Sequence, residues 1–303
     1  MLNRPVLAAS VPATVGARPV EVRRAGSTRK YVLLAPSEAN FIPFTKLSVN
    51  PVQHQSLLGE LQRVRGQIYL EDGAIGPDRL TWDGRFVQAA DAKSWHLLIL
   101  NDKGRVAGCA RYRPHHSLVT FDELSVRDSA LAKSSEWGPT LRRAVEAEIT
   151  RARNRGLHYA ELGGWALTEE LRFSSEAMKV GILMYGLGQL LGGAIGVTTA
   201  TTRHHSSSIL RRFGGESLTS NGKELPPYYD SQYQCEMELL RFDSARPSPK
   251  YAAMVEAARQ QLADVLVVSP AMTTDSWTNS LFSLQNSLAH NRVVTEGLYS
   301  EAS

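Results

Sequence analysis

The chain has 303 residues, of which 43% are hydrophobic and 21% charged, with a formal net charge of +4 and a pI near 9.1. This length and composition indicate a globular protein with a sizeable core and exclude a disordered or fibrous chain. The excess of positive charge is modest and contains no basic run, so we expect no nucleic-acid binding, while a phosphorylated cofactor or an acidic carrier protein fits the charge.

The two ends of the chain lack periodic apolar faces. We predict a loose arm at 1–18 and a flexible tail at 269–303, on either side of a domain at 19–245 and a C-terminal helix at 246–268. The apolar stretch at 181–200 is long enough for a bilayer, but it contains Gln189 and a glycine pair and ends in a Val/Thr-rich run. We therefore expect a core helix and a buried strand there, no membrane span, and a cytoplasmic protein.

The first half of the domain predicts one helix and a meander of strands. Residues 53–70 carry apolar side chains at helical spacing, which predicts an amphipathic helix before a Gly/Pro/Asp-rich loop at 72–84. Residues 95–100 and 105–112 predict two strands joined by a tight turn, and residues 118–126 a third. All three are expected to pair antiparallel.

The second half alternates between helices and strands. We expect the strand at 157–162 to lie parallel to the third meander strand. The predicted helices are at 139–155, 168–191 with a break near Phe173, 206–213 and 249–267, and the predicted strands are at 157–162, 194–201 and 232–242.

No metal site is expected. Cys109 and Cys235 lie in apolar, strand-like segments, which favours buried free thiols, and no Cys-x-x-Cys spacing occurs. The histidine pairs at 115–116 and 204–205 are sequence neighbours, whose side chains diverge on a strand or a helix, so neither pair chelates a metal by itself.

Three segments, in this order, carry a family resemblance. They are RVRGQIYLEDGAI at 63–75 with HLLILNDKGRVAGCARY at 96–112, FDELSVRDSA at 121–130, and RHHSSSILRRFGG at 203–215. With them the chain resembles the Gcn5-related N-acetyltransferase (GNAT) superfamily, and within it the acyl-homoserine-lactone synthases and N-acyl amino acid synthases. The resemblance implies an α+β, three-layer fold with a mixed, mostly antiparallel central sheet and helices on both faces.

The same resemblance implies an N-acyltransferase. Such an enzyme moves an acyl group from a phosphopantetheine thioester, on coenzyme A (acyl-CoA) or on an acyl carrier protein, to a small amine or amino acid, with no permanently bound cofactor. Two alternatives remain at this point. One is an ordinary acetyl-CoA-dependent N-acetyltransferase, and the other is a non-catalytic GNAT-like protein that binds a ligand or a partner.

The resemblance also implies a phosphate-binding turn. In GNAT enzymes the turn before the first long helix reads Q/R-x-x-G-x-G/A, and its N–H groups hold the cofactor pyrophosphate. We expect its counterpart in SSEWGPTLRR at 134–143, where Pro139 removes one donor and favours a carrier protein over tightly bound CoA. The predicted cofactor contacts are Gly138, Thr140, Arg142, Arg143 and Arg203.

Two carboxylates are candidates for the base that deprotonates the amine. Glu123, on the predicted third strand, is the first candidate, with Asp122 on the opposite face as its fallback. Glu161, which precedes Gly163 and Gly164, is the second, as base or substrate anchor. A backbone N–H near 124–126 is expected to stabilise the oxyanion. The alternative for Glu123 is a solvent-facing position on its strand.

Three further residues complete the predicted site. Arg111 is expected to bind a substrate carboxylate or carbonyl, and Asp83, in the acidic loop, to contact the substrate. The resemblance places a thiolate-protonating tyrosine where this chain has Leu210, so Tyr185 is the substitute candidate. A surface ion pair for Arg111 and a core position for Tyr185 are the alternatives.

Overall fold

A computed structural model of the chain describes residues 29–39, 43–172, 174–203 and 205–271. The predicted arm at 1–18 and the predicted tail beyond residue 271 lie outside these residues. The helices and strands are β1 (Lys30–Leu34), β2 (Leu47–Val49), α1 (Pro51–Glu71), β3 (Trp95–Leu100), β4 (Val106–His115), α2 (Ala130–Lys133), α3 (Gly138–Asn154), β5 (His158–Leu167), α4 (Glu169–Arg172), α5 (Glu176–Leu190), β6 (Ala194–Thr201), α6 (Ser206–Phe213), β7 (Glu216–Ser217), β8 (Thr219–Ser220), β9 (Lys223–Glu224), β10 (Tyr228–Asp230), β11 (Cys235–Asp243), α7 (Ala252–Ala263) and β12 (Leu266–Ser269).

One large mixed sheet organises the chain. Its strand order is β10-β11-β6-β5-β4-β3-β1-β12-β2, with β7 also paired to β11, while β8 and β9 form a separate two-stranded sheet. The pairs β5–β6, β1–β12 and β12–β2 are parallel, and the other pairs of the large sheet are antiparallel.

Helices cover both faces of this sheet. Alternate residues of β1 separate the two sides, because Leu33 packs in a cluster with α5 and α7 while Val32 and Leu34 pack with α1. Helix α3 lies on the α1 side and packs on β5, β6 and β11. The predicted fold class, a mixed and mostly antiparallel sheet between helical layers, is confirmed.

The predicted third meander strand at 118–126 is wrong. This segment forms two 3₁₀ turns, at Phe121–Glu123 and Ser125–Asp128. A capping box between Thr120 and Glu123 closes the first turn, and Phe121, Leu124 and Val126 pack on α3. The apolar residues are therefore buried without joining the sheet, and β1 supplies the third antiparallel strand beside β3 and β4.

Two consequences concern the neighbouring strands. Strand β5 is antiparallel to β4 and parallel to β6, so it does not lie beside a strand at 118–126 as predicted. The predicted C-terminal helix at 246–268 ends at Ala263, and Leu266–Ser269 pairs with β1 and β2 within the large sheet. Of the two thiols predicted to be buried, Cys109 is buried and Cys235 is half-buried.

Candidate active site

The sheet opens between its two central parallel strands. Strands β5 and β6 pair in register from His158 with Ala194 to Leu162 with Thr198. Beyond that point β5 continues along β4 as far as Leu167, and β6 continues along β11 as far as Thr201. The strands diverge there, so backbone groups on their facing edges line a gap.

A glycine bulge lies on β5 at the start of this gap. The pairing with β4 shifts between Cys109 and Arg111, and Gly164 has a φ of 60°, which favours glycine. A Cβ at Gly164 would lie 3.2 Å from Cβ of Arg111 and 3.4 Å from Nη1 of Arg65. The glycine therefore lets the strand backbone lie directly against two arginine side chains.

A cavity of about 1060 Å³ surrounds the gap and reaches both faces of the sheet. On the α5 side its wall is mostly apolar, and it includes Ala177, Val180, Gly181, Met184, Tyr185, Ile209 and Leu210. On the α1 side the wall is polar and aromatic, and it includes Tyr69, Phe86, Gln88, Arg111, Ser125, Glu161, Tyr228, Asp230 and Tyr233. One opening in the sheet thus joins an apolar chamber to a polar chamber.

A buried ion cluster lies beneath the polar chamber. Asp91 accepts hydrogen bonds from Nη1 and Nη2 of the fully buried Arg65, at 3.0 and 2.6 Å, and from Nη1 of Arg111 at 3.2 Å. Burial raises the pKa of Asp91, but the hydrogen bonds and the charge of Arg65 outweigh it and hold the pKa below its ordinary value. Two arginines against one carboxylate leave a positive charge at Arg111, which lines the cavity beside Gly163.

Glu161 lines the cavity, but its carboxylate is already saturated. Oε1 accepts from the N–H groups of Ser125 and Val126, at 2.7 and 3.2 Å. Oε2 accepts from Nε2 of His115, Nη1 of Arg113 and Oγ of Ser125, at 3.0, 3.3 and 3.2 Å. Burial raises the pKa of Glu161, but these hydrogen bonds and the nearby charges outweigh it, so the pKa lies below its ordinary value. A weakly basic carboxylate that already accepts five hydrogen bonds is better suited to holding residues 125 and 126 against β5 than to accepting a proton. We call this arrangement the Glu161 clamp.

This clamp also accounts for the backbone at 124–126, where the oxyanion donor is predicted. The N–H groups of Ser125 and Val126 donate to Glu161, and that of Leu124 donates to the Phe121 carbonyl. All three N–H groups already have an acceptor, so none of them is free to donate to a thioester carbonyl. The gap in the sheet lies between β5 and β6 and not at residues 124–126.

Glu123 does not line the cavity. Its side chain is 45% exposed and accepts from the N–H and hydroxyl of Thr120 and from Nε2 of His116. Asp122, its fallback, is exposed and paired to Arg142 at 2.6 Å. The strand that would aim Glu123 at the substrate does not form, so the structure leaves both carboxylates at the surface.

The predicted phosphate turn on α3 also lies away from the cavity. Arg142 is held by Asp122 and Glu146, and Arg143 donates to Oγ1 of Thr140. Gly138 packs its backbone against the Ala132 carbonyl, where a Cβ would lie 2.4 Å from the oxygen. These contacts give the glycine and the arginines structural roles, and α3 does not follow a strand of the parallel pair.

The remaining predicted residues divide between the cavity and the surface. Asp83 accepts from Thr81, Arg85 and Arg63 in an exposed loop and is not part of the cavity wall. Arg203 and Tyr185 do line the cavity. The Arg203 guanidinium donates to the carbonyls of Asp72 and Gln234 at its rim.

Residues 172–177, at the start of α5, are not among the residues that the sequence predicted to bind phosphate. Helix α5 follows β5, and residues 172–177 before and at its start read Arg-Phe-Ser-Ser-Glu-Ala. This is R-x-x-S-x-A, the expected Q/R-x-x-G-x-G/A pattern with serine in place of the first glycine. Arg172 and Ala177 line the cavity, and Arg172 makes a bidentate pair with Asp72 at 2.9 and 3.1 Å. This pattern is the signal in the sequence for a second candidate phosphate-binding turn, besides the one predicted before α3.

The described residues contain neither a cluster of metal-ligating side chains nor a helix that could cross a membrane. No group of three or more His, Cys, Asp or Glu side chains that could hold a metal ion occurs there. In the same part of the chain no helix combines the length and the apolar character needed to cross a membrane.

No protein-family model and no curated protein sequence matches the chain. Among solved structures it is similar to a CoA-dependent acyl-homoserine lactone synthase, BjaI, with SAM and isopentyl-CoA, at 13% identity and a TM-score of 0.48 over 84% of this chain and 99% of that one. It is also similar to FeeM, an N-acyl amino acid synthase from uncultured soil microbes, at 12% identity and 0.41 over 73% and 94%. An N-acetyltransferase from Staphylococcus aureus Mu50 is similar at 7% identity and 0.37 over 63% and 94%. At these values none of the three decides what this chain binds or does.

Proposed function

We propose that the protein is an N-acyltransferase that moves an acyl group from a phosphopantetheine thioester to a small amine. The observation that carries this proposal is the gap between β5 and β6, which connects the apolar and the polar chamber at a glycine bulge. A thioester at the bulge would have its acyl group on the apolar side and the attacking amine on the polar side. The sequence resemblance to GNAT enzymes supports the same reaction.

The donor phosphates belong, in this proposal, at the start of α5. The N-terminus of a helix offers free N–H groups and a partial positive charge to a phosphate. Arg172 and Arg203 stand at the same rim of the cavity, and both contact Asp72. In this proposal Arg172 is added to Arg203 as a phosphate contact. The predicted contacts on α3, Gly138, Thr140, Arg142 and Arg143, are not part of the proposed phosphate site.

The acceptor belongs in the polar chamber. Only Nη1 of Arg111 has a hydrogen-bond partner among the described residues, and a Cβ on Gly163 would lie 3.7 Å from its Nη2. A guanidinium with free donors in a half-buried site favours a carboxylate, so we propose an amine that carries a carboxylate, as an amino acid does. Tyr69, Phe86 and Tyr233 form the aromatic wall around it.

Transfer itself needs two further contributions. The β6-facing edge of β5 beyond Leu162 lies in the gap, and we propose that an N–H there stabilises the oxyanion. For the ammonium proton we propose Asp230 rather than Glu123 or Glu161. Asp230 lines the cavity and accepts from the N–H groups of Gln232 and Tyr233 through Oδ1, while Oδ2 has no hydrogen bond within the described residues.

The volume of the cavity favours an acyl group longer than acetyl. About 1060 Å³ lies at the upper end of what small-ligand pockets occupy, and the α5 side of its wall is apolar.

The test is thioester consumption by the purified protein. Acetyl, butanoyl, octanoyl and dodecanoyl thioesters, each on CoA and on an acyl carrier protein, are incubated with a mixture of the twenty amino acids. Thiol release is measured, and mass spectrometry identifies any N-acyl product. We expect an N-acyl amino acid from a donor longer than acetyl. Thiol release no faster than spontaneous hydrolysis with every donor would overturn the proposal.

Matched arginine variants test the phosphate site. Arg172→Gln should raise KM for the thioester with little change in kcat, because the contact is made equally before and during transfer. Arg259→Gln is the control, since Arg259 also makes a two-point pair with a carboxylate, Glu256, on the exposed side of α7. An unchanged KM in Arg172→Gln would place the phosphates elsewhere.

A further inference from the structure

A side-chain amide lies beside Arg111 in the wall of the polar chamber. Oε1 of Gln88 accepts a hydrogen bond from Nη1 of Arg111 at 2.7 Å. A guanidinium can only donate, so the amide has to turn its oxygen towards Arg111 and keep its NH₂ group for another partner. Among the described residues that NH₂ group has no partner, and it is not one of the unpartnered atoms that are buried, so it retains accessible surface. Gln88 lines the cavity, so this donor is open to a ligand.

Arg111 offers a second open donor next to the first. Its Nη2 has no hydrogen-bond partner within the described part of the chain and also retains accessible surface. The 2.7 Å hydrogen bond joins the amide of Gln88 to the guanidinium of Arg111, so the open donors of these two groups lie close together. Adjacent donors, one neutral and one cationic, match the two oxygens of a carboxylate.

The buried ion cluster fixes the position of Gln88. The N–H of Gln88 donates to Oδ2 of Asp91 at 3.2 Å, and its carbonyl accepts from the N–H of Asp91 at 2.9 Å. The carboxylate of Asp91 also accepts from Arg111, at 3.2 Å. One residue therefore holds both donors in place before a ligand arrives, which lowers the entropy that binding costs.

The charge of this site depends on a neutral side chain at position 88. Asp91 is the carboxylate paired with Arg111, and it is shared with Arg65, which binds it through both Nη atoms. The other partner of Arg111 is the uncharged amide of Gln88, so one positive charge stays uncompensated. A glutamate at position 88 would accept the same hydrogen bond from Arg111 and would cancel that charge.

A charge for the other end of an amino acid lies in the same chamber. Asp230 lines the cavity, as does Tyr233 of the aromatic wall. Burial raises the pKa of Tyr233, the charge of Asp230 raises it further, and the charge of Arg111 lowers it. Both charges therefore act on one phenol. An ammonium beside Asp230 and a carboxylate beside Arg111 are the two ends of a short zwitterion.

We propose that Gln88 makes the acceptor site specific for a free carboxylate, because its NH₂ group binds one carboxylate oxygen beside Arg111 and its neutrality leaves Arg111 charged. This rests on the proposed acyl transfer and names the residue that selects the acceptor. An amino acid amide would present its own NH₂ group to these donors, and an amine without a carboxylate would leave both unsatisfied. A site built to bind a polar group rejects analogues that lack it.

The test compares two acceptor mixtures with the full chain. One mixture contains the twenty amino acids and the other their α-amides, and the donors are the thioesters of the transfer assay. Thiol release gives kcat/KM for the amino acid that the wild-type protein acylates fastest and for its amide. Each protein is judged by the ratio of these two values, amino acid over amide, so the lower basicity of the amide's amine cancels between proteins.

Two variants of Gln88 should change this ratio by different amounts. Gln88→Glu should lower it about 100-fold or more, because the new carboxylate repels an acceptor carboxylate and accepts from the NH₂ group of an amide. Gln88→Met keeps the length of the side chain and the charge of Arg111 but removes one donor, so it should lower the ratio about tenfold. Gln55→Glu is the control, since it adds the same charge on the exposed side of α1 outside the cavity wall and should keep the wild-type ratio.

The ratio separates recognition from a structural role. A structural Gln88 would lower both kcat/KM values together, so an unchanged ratio in the two variants would overturn the selection while the acyl transfer stands. Circular dichroism shows whether each variant is folded, and Gln88→Met decides if Gln88→Glu is not. If the wild-type protein consumes no thioester with either mixture, this inference and the acyl transfer both fail.

Discussion

Glu161→Gln should destabilise the fold far more than it should alter the chemistry. Glutamine keeps one acceptor oxygen and presents an NH₂ group where the other oxygen stood. It must therefore abandon either the two N–H groups of Ser125 and Val126 or the His115 and Arg113 side chains. The carboxylate is only 11% exposed, so water cannot replace those partners easily.

The magnitude follows from these contacts. Each buried donor left without an acceptor costs about 1–3 kcal/mol, and breaking a buried ion pair by removing one partner costs about 3–5 kcal/mol. A loss of about 3 kcal/mol lowers the melting temperature of a chain this size by roughly 6–12 °C. Circular dichroism on heating measures this shift, and thiol release at a temperature where the variant is folded measures the reaction.

Glu123→Gln is the matched control. The same chemical change on an exposed carboxylate outside the cavity should leave thiol release at the wild-type rate and the melting temperature nearly unchanged. A Glu161→Gln protein that melts like wild type would refute the clamp. A folded variant that is slow at neutral pH and recovers at high pH would instead restore Glu161 as the base.

Three further predictions concern other parts of the chain. Burial lowers the pKa of His96 from 6.5 to about 4, so between these pH values the unfolded chain binds a proton that the folded chain does not. The free energy of unfolding, measured by urea titration, should therefore fall as the pH drops from 6.5 to about 4. The variant His96→Asn should show a smaller fall over the same range. Gly181→Ala places a Cβ 2.3 Å from the Phe213 ring and should cost about 1–3 kcal/mol in the same titrations, whereas Gly59→Ala, with 3.8 Å of room in α1, should not destabilise. Asp230→Asn should lower kcat by about 10²-fold or more at pH 7 and recover at high pH, as expected for loss of a general base; a rate independent of this change would remove Asp230 from the mechanism.

The periodicity of apolar residues predicted the helices and strands that carry a clear apolar face or run in their own sequence. The strand at 194–201 and the helix at 206–213 have the predicted bounds, and the first helix differs by one or two residues at each end. Strands β1, β2 and β12 were missed because they are short and their partners are distant in sequence. In β1, for example, Val32, Leu33 and Leu34 are buried only because β3 and β12 lie on either side of the strand.

Four of the residues predicted for the site line the cavity, namely Arg111, Glu161, Tyr185 and Arg203. Arg111 and Glu161 lie on strands placed correctly in the sequence, and both line the cavity. Glu123 lies outside the cavity because its segment forms 3₁₀ turns, the first of them closed by the Thr120 capping box, in place of the predicted strand. Tyr69 and Tyr233 form part of the same aromatic wall but lie far apart in the chain, so no local sequence pattern predicts their contact.

The sequence prediction places the phosphate turn before the first long helix after the strand pair β3–β4, which is α3, and our proposal places it before α5 instead. Our proposal rests on the position of α5, which lies in the chain between the parallel neighbours β5 and β6. Serine in place of glycine at 175 is no obstacle, because Ser175 has φ −66° and ψ −6°, an ordinary right-handed conformation open to any residue. Pro139, from which the sequence predicts weak CoA binding, lies in α3 and would not affect a phosphate turn at the start of α5. The start of α5 therefore keeps the N–H groups that a phosphate requires, and the serine adds a hydroxyl donor where glycine offers none.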